Sequence, residues 1–288
     1  MSERFAIIID GTASLPPELE RELDIRWLPL HVNFGAEDYT AGVDLTTEQF
    51  YEKIKAPDAK PATSQPSLGE CLEVYQAAIR DGAREILVLT IATELSGTYS
   101  VATTTAQQIG DARVEVVDTR STAGGISLVA TACARLRREG GSFEDALALA
   151  RRLAGKVQIL AAADVLEYLR RSGRISGGQA LLGSILNVKP ILEVADGKVH
   201  AIDKARSREK AVARLKELVG ARLPQGARIH ACMLHTNAPD RARELGEWAQ
   251  ERFHCVEYWL TEAGPVIGAR GGPGVIGICW YREEDGGE

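Results

Sequence analysis

"EILVLTIATELSGTYS", residues 85–100, decides the fold class. Its first seven residues are rich in Val, Ile and Leu and nearly unbroken by charge, the signature of a strand buried on both faces. A short polar turn follows and leads into a helical segment, so the stretch reads as one βα unit. "FAIII" (residues 5–9) and "RVEVVD" (residues 113–118) are further runs of the same kind. The helical segments between them have recognisable starts. Thr46-Thr-Glu-Gln49 and Ser67-Leu-Gly-Glu70 each fit a capping box, in which a hydroxyl and a carboxylate or amide satisfy the free N–H groups of the first turn. This alternation predicts an α/β fold whose N-terminal sheet is mostly parallel, with helices on both faces.

A second unit begins after the long helical stretch of residues 125–153. "VQILAAA" (157–163) reads as a strand, and "DVLEYLRRSGRIS" (164–176) as a short helix ending at Gly173. "PILEVADGKVHAID" (190–203) reads as a hairpin turning at Asp196-Gly197. Helices at 207–219 and 240–253 then alternate with strands at 228–235, 256–260 and 275–281. The expectation is two α/β domains, residues 1–155 and 156–288, the second a mixed sheet with helices.

The chain has 288 residues, 45% hydrophobic and 26% charged, a soluble globular composition long enough for two domains of ordinary size or one large one. Its net charge of −6 argues against nucleic acid or an anionic membrane surface as the main partner. An anion site on such a protein has to be a local positive pocket. The five cysteines are scattered with no C-x-x-C, and the five histidines show no H-E-x-x-H or H-x-x-E-H spacing. No metal site is therefore expected, and free thiols point to a reducing compartment. The opening apolar run is too short for a signal peptide and no run is long enough to span a bilayer, so the expected location is cytoplasmic.

Nucleotide motifs fail as well. Gly272-Pro-Gly274-Val-Ile-Gly277 matches G-x-G-x-x-G by letter, but it leads into a strand at the end of the chain, whereas a dinucleotide site needs a following helix. There is no P-loop and no G-x-S-x-G elbow. No catalytic residue is assigned.

Three polar stretches lie where strands give way to loops or helices. They are "GTASL" (11–15) with Asp10 before it, "PATSQPS" (61–67) with Thr63 and Ser64, and "TELSGTYS" (93–100) with Ser96, Gly97 and Thr98. Ligands of open α/β sheets bind at the carboxyl ends of strands, where helix N-termini offer free N–H groups. Hydroxyls there serve as helix caps in most proteins. Several converging ones could instead bind an oxyanion. "GPVIGARGGPGVIG" (264–277) reads as a glycine-rich loop wrapped around a single cation, Arg270, and adds a counter-charge. "LEYLRRSGRI" (166–175) clusters Arg170, Arg171 and Arg174, either as a docking patch for an acidic partner or as a helix end favouring the dipole.

"DGTASL" (10–15), "TSQPS" (63–67), "LSGTY" (95–99), "YLRRSGRI" (168–175), "KPIL" (189–192) and "GPVIGARGGPG" (264–274), in this order, resemble the DegV family of bacterial fatty-acid-binding proteins. The resemblance implies two α/β domains with one long-chain fatty acid between them, bound as a ligand with no other cofactor. Its carboxylate would meet Thr63, Ser64, Ser96, Gly97 and Thr98, with Arg270 alongside, and its tail would enter an apolar tunnel. "GGQALLGSILNV" (177–188) is such a tunnel candidate, though its composition is that of ordinary core. Some members present the acid to a separate ATP-dependent fatty-acid kinase, which implies docking through Arg170, Arg171 and Arg174. The chain itself would then be a carrier, not an enzyme. It departs from the family pattern at Arg270, where histidine is usual, and at Gly11, where serine is common. Two other readings fit the same residues: a protein acting on a small phosphorylated substrate, and a lipid-sensing regulator.

Overall fold

The computed structural model describes residues 5–56, 58–176 and 188–286. All of the tunnel candidate except Val188 lies outside the described residues. Strand β1 (Ala6–Asp10) is buried along its whole length and pairs in parallel with β2 (Ile25–Leu28). The chain next forms a small antiparallel sheet from β3 (His31–Phe34), β4 (Glu37–Thr40) and β5 (Ala62–Ser64), in the order β4-β3-β5. It then returns to the main sheet as β6 (Glu85–Thr90) and β7 (Arg113–Asp118), giving the all-parallel order β2-β1-β6-β7.

The second large sheet is mixed. It contains β8 (Gln158–Ala162), β9 (Ile175–Ser176), β10 (Lys189–Ala195), β11 (Lys198–Ala205), β12 (Arg228–His235), β13 (His254–Glu262) and β14 (Ile276–Arg282), in the order β13-β12-β14-β8-β10-β11-β9. β12 and β13 run parallel, while β14 is antiparallel to both β12 and β8. The hairpin β10–β11 turns at Asp196 and Gly197, both at positive φ as a type I′ turn requires.

Both expected capping boxes form. In the second, the Glu70 N–H donates to Ser67 Oγ at 3.2 Å and the Ser67 N–H donates to Glu70 Oε2 at 2.8 Å. The helix Gly124–Arg138 joins the two halves. Ten of its residues are buried, and it packs against β1 and β6 of one sheet and β12 and β14 of the other. The largest apolar cluster accordingly mixes Ile7 and Leu89 with Ile159, Leu234 and Val275. The proposed division near residue 155 falls between the helix Phe143–Leu153 and β8.

The glycine-rich closing segment corrects the expectation of a loop. Residues Pro265–Gly271 form a helix with Pro265 in its first turn, where a missing N–H removes nothing the helix would use. This helix lies against β3, β5 and the helices Thr47–Lys53 and Leu166–Ser172. An apolar cluster of Val32, Phe50, Tyr51, Val266 and Ala269 fixes it there. The small sheet and the closing helix thus bring two distant polar stretches together. Among the described residues no helix is long and apolar enough to cross a membrane.

Candidate functional site

The site is assembled where β1 and β6 end, between the parallel and mixed sheets. After β6 the chain passes Leu95 and Ser96 and enters the helix Thr98–Ala106, with Gly97 at its N-cap. Ser96 Oγ lies 2.9 Å from Thr98 Oγ1 and accepts the Thr98 N–H at 3.3 Å. Ser96 and Gly97 line a cavity of about 360 Å³. Thr98 does not line it. It is fully buried and holds Ser96 in place from behind.

Across the cavity, β5 presents Thr63 and Ser64. Arg270 reaches Thr63 from the closing helix, donating to the hydroxyl and, at 3.3 Å, to the carbonyl. The Thr63 oxygen is therefore an acceptor for Arg270, and its own proton is free to point at a ligand. Ser64 donates its proton to Asn33 Oδ1 at 3.4 Å, on the exposed side of the strand. Alternation of side chains along a strand accounts for the difference between these neighbours.

Of the three clustered arginines, only Arg174 lines the cavity. The helix Leu166–Ser172 ends at Gly173, whose φ of 65° turns the chain back towards the site. Arg174 donates to the Ser172 carbonyl at 2.8 Å and, through Nε, to the Leu95 carbonyl at 3.4 Å. Arg270 shares the Ser172 carbonyl at 3.4 Å. Arg170 stays exposed and pairs with Glu167 at 3.4 Å, while the Arg171 guanidinium lies 5.1 Å from the Tyr168 ring.

Both cavity arginines are held by neutral oxygens. Among the described residues no carboxylate pairs with either, and no Asp or Glu lines the cavity. Burial first, and the charge of Arg174 second, pull the Arg270 guanidinium down to about 10. It remains charged at neutral pH, but in a setting that disfavours its charge. Asp10 lies just beneath the floor. It is fully buried, and desolvation raises its pKa against the bonds it receives from Thr12 and the Ile91 N–H. Thr12 lines the cavity but donates its hydroxyl proton to Asp10, so it can only accept from a ligand.

The other end of the cavity is apolar. Ile159 and Ala161 come from β8, Leu192 and Val194 from β10, and Leu234 from β12. One polar and one greasy end suit an amphipathic molecule with an anionic head.

Sequence reasoning missed Gln65 and Thr12 as lining residues and did not place Arg174 in the cavity. The signal for Gln65 was at hand in "TSQPS". Its amide packs on Gly97 so closely that a Cβ there would run into Gln65 Oε1. Gly97→Ala is expected to swing the Gln65 amide aside and weaken ligand binding several-fold with little change in melting temperature, since only a flexible side-chain tip must move. Ligand titration alongside a thermal melt checks both parts.

A family model described as "Uncharacterised protein, DegV family COG1307" matches residues 4–283. A DegV domain-containing protein of Deinococcus radiodurans is 36% identical over 276 residues, covering 95% of this chain and 97% of that protein. The solved structure of a DegV family protein from Thermus thermophilus, reported for its fatty acid binding, superposes with a TM-score of 0.89 at 33% identity, covering 97% and 99% of the two chains. The structure of DegV from Bacillus subtilis, described as a fatty acid binding protein, gives 0.87 at 29% identity, covering 98% and 100%.

Proposed function

This chain belongs to the DegV family, and from that premise we propose that it binds one long-chain fatty acid, carboxylate at the Thr63–Ser96–Arg270 end of the cavity and tail along its apolar walls. One observation carries the reading: two guanidiniums without a carboxylate partner among the described residues face a cavity whose far walls are aliphatic. A carboxylate would supply the missing counter-charge, with Thr63 and Ser96 as hydroxyl donors and Gly97 and Thr98 as backbone and support. The aliphatic walls argue against a small phosphorylated substrate, which would leave them uncovered.

The two ends do different work. Each buried methylene contributes about 0.8 kcal/mol, so a palmitoyl tail offers about 11 kcal/mol gross. A charge-assisted hydrogen bond nets about 1.5–3 kcal/mol. The tail sets affinity and the head sets orientation and chemical class. In this role the chain is a carrier and not a catalyst. Among the described residues no histidine or carboxylate lines the cavity to act as a base for Ser96 or Thr63. Arg170 and Arg171, still exposed beside the head end, are the residues we assign to docking a separate ATP-dependent fatty-acid kinase.

Mass spectrometry of the purified protein, native and after organic extraction, tests the reading directly. One fatty acid per chain supports it. A lipid-free protein that refuses palmitate and oleate sinks it. Arg270→Ala is expected to weaken palmitate binding about tenfold to a hundredfold while leaving hexadecanol nearly unchanged. Equal losses for both ligands would make Arg270 a structural residue.

A further inference from the structure

The head end holds more positive charge than one carboxylate neutralises. Arg174 and Arg270 both line it, close enough for the charge of one to act on the other. Every titratable side chain on the lining is one of these two arginines. The carboxylate beneath the floor, Asp10, is shielded by Thr12, and its oxygens are taken by Thr12 and the Ile91 N–H. The adjoining helix Thr98–Ala106 points its N-terminus at the same place and adds to the positive potential. A bound carboxylate brings one charge and two oxygens to this set. A phosphate monoester brings a charge of about −1.5 to −2 at pH 7 and three strong acceptor oxygens. Arginine suits such a group because its planar fork donates two parallel bonds.

We infer that this site prefers single-chain lipids with a phosphate monoester head over carboxylic acids of the same chain length. The inference rests on the fatty-acid reading, since it places the same tail in the same cavity. The donors match the oxygens in number. Arg174 and Arg270 each keep guanidinium N–H groups beyond those donated to Ser172, Leu95 and Thr63, and the free Thr63 proton supplies a third direction. Arginine at position 270 makes the second charge permanent, where a histidine would carry it only when protonated.

Calorimetric titration of the delipidated full-length chain tests this with palmitate, hexadecyl phosphate and 1-palmitoyl lysophosphatidic acid, at pH 7.5 and pH 5.5. Hexadecyl phosphate is expected to bind at least tenfold more tightly than palmitate at pH 7.5. That margin should narrow at pH 5.5, where the free phosphate takes up one proton and falls towards a single charge. Arg174→Gln should remove the margin and Arg174→Lys should restore part of it, with palmitate affinity changing less in both. Tight binding of the lysophosphatidic acid also supports the inference and identifies a glycerol lipid as the source. Its exclusion alongside tight hexadecyl phosphate binding places the phosphate directly on the chain. If palmitate binds and neither phosphate binds more tightly, or if the margin ignores pH, the inference falls and the fatty-acid reading stands. If none of the three binds, both fall.

Discussion

Ala161→Phe is expected to abolish measurable palmitate binding while the chain stays folded and its head end stays intact. Ala161 lies in β8, opposite Gly277 of β14 on one side and Leu192 of β10 on the other. Ala161 lines the cavity, and Gly277 beside it carries no side chain to fill the space, so a larger side chain at 161 extends into the cavity. There the ring occupies the space between Leu192 and Leu234 that the tail needs. If it displaces four to six methylenes, about 3–5 kcal/mol of transfer free energy is lost, which is roughly a hundredfold to several thousandfold in affinity. The fold should tolerate the change because the ring enters an open cavity and not close-packed core, where overpacking typically costs about 1–3 kcal/mol. Titration with palmitate and decanoate, alongside a thermal melt, reads this out. Decanoate should lose far less than palmitate. Unchanged palmitate affinity would mean that the tail runs elsewhere, and the apolar walls of β8, β10 and β12 would lose their assigned role.

The parts of the fold legible in sequence are those where local chemistry and tertiary burial agree. β1 is buried throughout and apolar up to Asp10, and Ile86 to Leu89 of β6 are apolar and buried, so composition alone marks them. The capping boxes at Thr46 and Ser67 are closed by residues three apart, and the chain carries all the information needed to form them. The small sheet is different. β4 and β5 are mostly exposed and show no apolar alternation; β4 folds straight back on β3, but the pairing of β5 with β3 is a contact between segments distant in sequence. The closing segment misled for a related reason. Its glycines suggest backbone freedom when read locally, yet Gly268 serves a close approach to a helix over two hundred residues earlier in the chain.

The site divides in the same way. Ser96 follows the carboxyl end of β6, where α/β chemistry puts ligands, whereas Thr63 is the middle residue of β5 in the small antiparallel sheet, and both line one cavity. Thr98, two residues beyond Ser96, faces the core, a choice between two faces that a helix start does not announce. Arg174 was hidden among three arginines that look alike in sequence. What separates it from Arg170 and Arg171 is the left-handed turn at Gly173, which reverses the direction of the next side chain. Arg270 was visible as a lone cation among glycines. Its consequence was not, because the second cation beside it is supplied by another helix.

That dependence on packing makes Gly268→Ala the sharper probe of the head end. An added Cβ would come within 2.6 Å of Phe50 Cε1 and 2.9 Å of the Tyr51 hydroxyl. Phe50 is fully buried and Tyr51 nearly so, and Phe50 is wedged against Phe34 and Tyr51, so neither ring can swing away. The closing helix must therefore lift from the helix Thr47–Lys53, at about 1–3 kcal/mol. For a chain of this length each kcal/mol lowers the melting temperature by about 2–4 °C or somewhat less. Arg270 rides on the lifted helix, so its bonds to Thr63 lengthen or break. Palmitate should bind at least tenfold more weakly, and hexadecanol, which needs no counter-charge, should lose much less. Gly264→Ala is the matched control, because a Cβ there meets nothing within 4 Å. A Gly268→Ala protein that melts like its parent would show that the helix contact has slack. One that melts lower but holds palmitate and hexadecanol with unchanged relative affinity would show that the position of the closing helix does not govern the head group, and that Arg174 alone carries the counter-charge.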